Sequence, residues 1–498
     1  MDKLIKVILI VIGCHLGTGA LSQTSKQAVY PGARIRVILD SNSTNEKVWV
    51  TYKNHLWATN FNRIPNIQMQ KSGMENLFQI SFLPKEKAAY VSVMFSKNLS
   101  IEDFIIEPGD SIVCTYYKDK WYFTGRGNEK FKAQFDIVEA MRFVPRDMSA
   151  TPPHTKDRNK TVLDDSFTGW FIEHFKTGFK TAYTTDQMAL NVLDWYKEYL
   201  SDFTYNLIKV NTISQSEVTI VKLLVEINEI TNDNTTNATN RTRILDSVSK
   251  LMSERRKYDL KLFPDSLLAY SSAYLGLQTL KSDSFIYTRL KDHFKGFLRD
   301  RLLTAFFLNN YYKQPAISDW LLEVVPTIND ENCKELLLAK VDALMPGRPA
   351  FDFSLLNPDK KFISLKDFKG KVVMMDFWFT GCGSCIQLTE AMKPVLNHFK
   401  GNPNIIFIGV SIDKDFETWK KSLKSGLYNN EGTIDLYTNA LGSEHPIIKH
   451  YGISGYPNLL LIDGSGKIIT ANPPRPTLND PRKGKELIGL IEKNIIKL

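Results

Sequence analysis

The amino-acid sequence predicts a multidomain chain: an N-terminal β-sandwich-like domain, a mostly α-helical middle and a C-terminal α/β domain. Three observations predict it. Up to about Phe123, short apolar runs are punctuated by Asn, Gly, Ser and Pro, which is the pattern of strands and turns. From about Asn128 to Leu344, apolar residues recur at helical spacing. After Met345-Pro346-Gly347-Arg348-Pro349, whose prolines cannot continue a helix, the pattern mixes strand and helix. The expected spans are 1–22 for a signal peptide, 26–125 for the β-domain, 126–345 for the helical region and 346–498 for the α/β domain. A chain of 498 residues with 43% hydrophobic content can bury several cores, roughly three at ordinary domain size.

The N-terminus has the order of an export signal. Met1-Asp2-Lys3-Leu4-Ile5-Lys6 is followed by the apolar run Val7 to Ile12 and by small residues at Gly17, Gly19, Ala20 and Ser22. Ala20-Leu21-Ser22 fits cleavage before Gln23. The alternative is Val11-Ile12-Gly13-Cys14, which resembles a bacterial lipobox and would leave Cys14 lipidated. The run is too short to span a bilayer, which needs ~20 apolar residues.

Strands are expected at Ala33-Leu39, Lys47-Tyr52, Leu77-Phe82, Ala89-Phe95, Phe104-Ile106 and Ser111-Tyr117, with a turn at Glu107-Pro108-Gly109-Asp110. In the middle, Trp195, Leu200, Phe203 and Leu207 read as one helical face, and Leu298, Leu302, Leu303, Phe306 and Phe307 as another. The Asn- and Thr-rich stretch between Thr231 and Thr242 reads as a solvated loop.

The formal charge of +9 is spread along the chain in short clusters such as Arg255-Arg256-Lys257 and Lys360-Lys361. Without a basic face or a binding module, nucleic acid is not an expected partner. Five cysteines cannot staple so long a chain. Cys114 alternates with Ile112 and Tyr116, and Cys333 shares a helical face with Leu336, Leu337 and Val341, so both read as small core residues.

Cys382 and Cys385 are different. Lys371 to Phe377 is a buried-strand pattern, Trp378-Phe379-Thr380-Gly381 follows, and Cys385, Leu388, Met392, Val395, Leu396 and Phe399 then recur at helical spacing. Cys382 therefore falls at a helix N-terminus, where unmet backbone N–H groups and the helix dipole favour a thiolate. It is the expected nucleophile. Cys385 lies one turn on and is the expected resolving thiol. Half of a zinc site is the alternative, but Cys114 and Cys333 fall in other predicted domains, and His398, His445 and His450 show no ligand-like pairing.

These segments resemble the thioredoxin superfamily, in particular the TlpA/ResA-like envelope oxidoreductases that Bacteroidetes-type bacteria build with extra N-terminal domains. Pro349 to Phe353 with Ile363 to Lys371 looks like that family's opening hairpin. Asn404 to Asp413 looks like its next strand, Tyr451 to Pro457 like its cis-proline loop, and Asp463-Gly464-Ser465-Gly466-Lys467 like its closing hairpin turn. The β-domain resembles, more loosely, the small domain that precedes such modules. The resemblance implies a thioredoxin-like fold for the C-terminal domain. It also implies that Asp376 is the buried acid exchanging a proton with the resolving thiol, and that Pro457 with Tyr456, Trp378 and Gly381 borders the substrate. A strand-end salt bridge for Asp376 and a plain core role for Trp378 remain the alternatives. The chain departs from the family pattern at Gly381, where tryptophan is common, and at Ser384, where proline is. Leu388 replaces a glutamate, and Pro394 displaces a helix proline otherwise at Glu390, which predicts a shifted kink.

The expected function is thiol-disulfide exchange at the redox-active Cys382/Cys385 pair, with no other cofactor and no metal. The resemblance implies protein disulfides as substrates, a membrane thiol carrier as electron donor, and the periplasm or cell envelope as location, with peripheral or lipid attachment through Cys14 left open. A dithiol oxidase or isomerase on the same fold is the first alternative, since direction depends on potential. A surface binding protein with an accessory redox module is the second.

Overall fold

The computed structural model describes residues 31–40, 47–53, 67–71, 76–96, 99–142, 165–232, 236–254, 258–280, 283–310, 317–453 and 455–495. The expected signal segment with Cys14, the Arg255-Arg256-Lys257 cluster, residues 233–235 of the polar stretch and Ser454 lie outside them. The described residues fall into two compact units, divided between Phe306 and Phe307.

The first unit opens with β1 (Ala33–Leu39), β2 (Trp49–Lys53), β3 (Ile67–Gln68), β4 (Gln70–Lys71), β5 (Leu77–Phe82), β6 (Ala89–Ser96), β7 (Leu99–Ile106), β8 (Ser111–Tyr117) and β9 (Lys120–Arg126). They form two sheets, ordered β4-β5-β1-β8-β9 and β3-β2-β6-β7. Alternate residues of β1 point inward, and Ile35, Val37, Ile112 and Cys114 from one sheet share a core with Val50, Val91, Val93 and Ile101 from the other. This is the β-sandwich the alternation predicts. Strand β9 was not expected. It pairs with β8 through a two-residue turn in which Lys118 and Asp119 both have positive φ, and that backbone usually announces itself as Asn-Gly.

The Glu107-Asp110 turn is as expected. Gly109 takes φ +85°, and the Asp110 N–H donates to Glu107 O at 3.1 Å. Its two carboxylates hold the buried ammonium of Lys130, which lies 2.8 Å from Asp110 Oδ2, and Thr204 Oγ1 donates to Glu107 Oε1 at 3.0 Å.

The helices of this unit are α1 (Asn128–Arg142), α2 (Asp165–Asp194), α3 (Asp202–Asn232), α4 (Ala238–Glu254), α5 (Asp265–Leu268), α6 (Ser272–Gln278) and α7 (Ser284–His293), and α8 (Gly296–Asn310) runs across the division. Phe171, Phe175 and Phe179 of α2 pack with Ile220, Leu224 and Ile227 of α3 and Ile244 and Val248 of α4. One expected helical face is corrected here. Trp195 lies in the turn between α2 and α3 and is 73% exposed. Ser201 starts a new helix beyond it, accepting the Thr204 N–H at 3.1 Å as a cap.

The second unit contains α9 (Ile317–Val324), α10 (Glu331–Leu344), β10 (Ser354–Leu356), β11 (Phe362–Ser364), β12 (Val372–Trp378), α11 (Gly383–His398), β13 (Ile405–Ser411), α12 (Phe416–Lys424), β14 (Thr433–Tyr437), α13 (Pro446–Tyr451), β15 (Asn458–Ile462), β16 (Ile468–Thr470) and α14 (Pro481–Ile495). The sheet order is β11-β10-β14-β13-β12-β15-β16. Central β12 runs parallel to β13 and antiparallel to β15. Val372 and Met374 of β12 pack with Leu388, Met392 and Val395 of α11 and Leu487 and Ile491 of α14, which seats α11 on one face of the sheet. Among the described residues no helix is long and apolar enough to cross a membrane.

Candidate active site

Strand β12 carries the site to the C-terminal edge of the sheet. Its residues Val372 to Met375 are buried, so the strand is fixed by packing on both faces, and its end delivers Asp376, Phe377 and Trp378 to one level. The chain then turns through Phe379, Thr380 and Gly381 into α11. Gly381 has φ +93°, a conformation that favours glycine, and its N–H donates to Tyr428 Oη at 2.8 Å. Thr380 is held twice by Asp413, from its N–H at 3.0 Å and its hydroxyl at 2.7 Å, and Ser411 Oγ donates to the same carboxylate at 2.8 Å.

Cys382 is the N-cap of α11, and its Sγ accepts the Cys385 N–H at 3.2 Å. The two cysteines form a disulfide with Cα atoms 5.2 Å apart. Cys382 is 5% exposed and Cys385 is fully buried, so attack from outside reaches Cys382 first. Ser384 Oγ lies 3.5 Å from Cys382 Sγ and donates to Tyr456 O at 3.2 Å, tying the dithiol to the loop before β15. The Tyr456-Pro457 peptide bond is cis. Phe377 pairs with Asn458, the residue after Pro457.

A thioredoxin-like family model matches residues 370–468, from the start of β12 through the β15–β16 turn. Over 132 residues the chain is 30% identical to the thiol-disulfide oxidoreductase ResA of Bacillus cereus, covering 26% of this chain and 71% of that one. This chain belongs to the ResA-like thiol-disulfide oxidoreductases of the thioredoxin superfamily. ResA of Bacillus subtilis is 26% identical over 133 residues, 27% of this chain and 70% of its own. A crystal structure of the thioredoxin domain of a Bacteroides vulgatus thiol-disulfide oxidoreductase matches at 29% identity with a TM-score of 0.26, covering 30% of this chain and 99% of that one.

In this ResA-like oxidoreductase Trp378 and Tyr456 pack in one cluster with Cys382 and Cys385, and the other expected site residues have distinct settings. Asp376 is partly accessible as a residue, but its Oδ1 is sealed from solvent with no hydrogen-bond partner among the described residues. Burial pushes its pKa up to about 8, and the charge of Arg475 opposes the shift. Trp378 is 1% exposed and stacks on Tyr428 with centroids 4.8 Å apart, so it supports the site from beneath and offers no face to a substrate. The aromatic surface beside the dithiol comes instead from Phe379, which is 36% exposed and meets the Tyr456 ring edge-on at 5.5 Å. Leu388 is buried against β12 and the neighbouring strands. Helix α11 is continuous through Pro394 to His398.

Sequence reading missed Phe379, Thr380, Asp413, Tyr428 and Arg475. Phe379 and Thr380 stand in the segment just before the dithiol. Asp413, Tyr428 and Arg475 reach the site from positions that no spacing rule connects to it.

Proposed function

We propose that this oxidoreductase reduces disulfides in exported partner proteins, with Cys382 as nucleophile, Cys385 as resolving thiol and Asp376 as proton acceptor. The observation that carries the reading is the Cys385 N–H aimed at Cys382 Sγ at the start of α11. The same N–H and the helix N-terminus favour negative charge on that sulfur, so the reduced Cys382 is the thiolate of the pair.

In the first step the Cys382 thiolate attacks one sulfur of the partner's disulfide. A mixed disulfide forms, and the partner's other sulfur leaves as a thiolate that takes a proton from solvent. In the second step the Cys385 thiol passes its proton to the Asp376 carboxylate, and its sulfur displaces the partner from Cys382. Two electrons have then moved to the partner, and the Cys382-Cys385 disulfide remains. A thiol donor at the membrane restores the dithiol. The export signal read at residues 1–22 supports an envelope location, with cleavage before Gln23 and lipidation at Cys14 as its two processed forms.

Equilibration of the purified mature protein against thiol buffers tests the direction. A reduction potential near or below about −250 mV supports the reductase, whereas one near about −120 mV identifies an oxidant. Failure to form the disulfide at all favours the binding-protein alternative. The mass of the protein recovered from the envelope fraction distinguishes a mature chain beginning at Gln23 from one retained through Cys14.

A further inference from the structure

Gly409 lies in the middle of β13, paired in register with Asp376 of β12 on one side and Asp435 of β14 on the other. Paired positions of neighbouring strands project to the same face, and Trp378, two residues beyond Asp376, shares it. On this face Trp378, Tyr428 and Tyr437 cluster with the dithiol. A Cβ built on Gly409 would stand 3.3 Å from Trp378 Nε1 and 3.4 Å from Asp435 Oδ1. The glycine thus leaves a notch with an indole N–H donor on one wall and a carboxylate acceptor on the other. Both atoms are sealed from solvent, and neither has a hydrogen-bond partner among the described residues. The other oxygen of Asp435 takes the Asn429 amide at 3.1 Å, which leaves Oδ1 to the notch.

Buried donors and acceptors are nearly always met, by protein or by an ordered water that has at least two polar partners. We propose that the Gly409 notch holds one buried water joining the Trp378 indole N–H to Asp435 Oδ1, which makes Asp435 a positioning residue for the dithiol loop. This rests on Cys382 being the attacking thiol. The contact runs from Asp435 to Trp378, from the Trp378 ring to the stacked Tyr428, and from Tyr428 Oη to the Gly381 N–H, next to Cys382.

An ionised carboxylate accepts this hydrogen bond more strongly than a neutral acid. Burial raises the Asp435 pKa to about 6, with the Asn429 amide opposing. The titratable groups facing the notch from the surrounding elements are Asp376 of β12, Tyr437 of β14, Tyr428 of the segment after α12 and the dithiol of α11. As pH falls through this value Asp435 takes a proton, its hold on the indole weakens, and the Cys382 sulfur is held less firmly against the Cys385 N–H, so its thiolate is less favoured.

The test uses the full-length protein labelled with nitrogen-15 tryptophan, with Trp378→Phe assigning the indole resonance. The Trp378 indole N–H is expected to titrate with a midpoint of about pH 6 in the wild type, a step that Asp435→Asn removes while any step near pH 8 from Asp376 stays. Gly409→Ala, whose methyl fills the notch, is expected to abolish the titration as well. In the reduced proteins, iodoacetamide labelling of Cys382, read by peptide mass, should fall about fivefold further between pH 7 and pH 5 in the wild type than in Asp435→Asn. A pH 6 titration that persists in Asp435→Asn overturns the proposal. So does one left intact by Gly409→Ala, and if that variant fails to fold, the Asp435→Asn comparison decides alone. Failure of the exchange reading is separately visible, because a Cys382→Ser protein that still reduced insulin would leave the indole titration in place.

Discussion

Cys382 and Cys385 differ in what surrounds each sulfur. Cys382 receives a backbone N–H at the helix start and touches solvent, while Cys385 is fully enclosed. Cys382→Ser is therefore expected to lose insulin reduction entirely. Cys385→Ser should accumulate a mixed disulfide with its partner, visible on a non-reducing gel, because the first step survives and the second does not. Asp376 adds a pH dependence whose sign follows from its raised pKa of about 8. The proposed resolving step uses the ionised carboxylate, so the rate should rise with pH through about 8 in the wild type and flatten in Asp376→Asn. Stability runs the other way. The folded state holds the proton that the unfolded chain releases near pH 4, so the stabilising contribution is full below about pH 4 and is lost as pH rises to about 8. Asp376→Asn should accordingly melt above the wild type at pH 8 and close to it at pH 4, as thermal unfolding at the two values will show. At this scale the sequence revealed the two cysteines, because two residues between them and a buried strand before them are local facts. Asp413 and Tyr428 were hidden, since they grip Thr380 and Gly381 from 33 and 47 residues away.

Elements were legible where one periodicity ran unbroken. Strand β1 alternates along its whole length, and α11 repeats its apolar positions from Cys385 to Val395. Two failures have physical causes. The β8–β9 turn adopts left-handed backbone at Lys118 and Asp119, residues that carry no glycine signal, so β9 went unread. At Trp195 an apolar spacing continued by chance across a helix end that Ser201 reopens as a cap. The Glu107-Asp110 turn was predicted from its proline and glycine, but its load was not. Lys130 of α1 places a buried cation between two carboxylates, and Thr204 of α3 completes the ring. Lys130→Met would strand those carboxylates, and burial already raises the Asp110 pKa. The expected cost is about 3–5 kcal/mol of stability, read as a lower urea midpoint, and it should shrink as pH falls and the carboxyls take up protons.

Over the whole molecule, composition limited the partners and the change of periodicity located the chemistry near one end, yet the long helical region yielded no function. Its apolar faces pack helix on helix, as in the aromatic contacts of α2 with α3 and α4, and packing of that kind carries no chemical signature. The prolines at Pro346 and Pro349 mark a change of pattern, but the segment they bracket is built into the sheet. Gly347 N–H donates to Ile468 O at 2.8 Å, Ile468 N–H returns a bond to Arg348 O at 2.8 Å, and Ala350 N–H reaches Gly466 O at 2.8 Å. Phe351 N–H donates to Tyr451 Oη at 2.8 Å, and α10 packs on α13 with Leu337 and Val341 buried. A fragment of residues 317–498 keeps these bonds and that packing. A fragment of residues 354–498 removes the edge pairing to β16 and uncovers the apolar side of α13, while leaving β12, α11 and the cis-proline loop in sequence. Both are expected to form the Cys382-Cys385 disulfide. The longer fragment should match the full chain in reduction potential, and the shorter should melt at a clearly lower temperature, each lost bond contributing about 1 kcal/mol before the exposed apolar surface is added. Equal melting temperatures would mean that the strap and α10 do not support the redox unit.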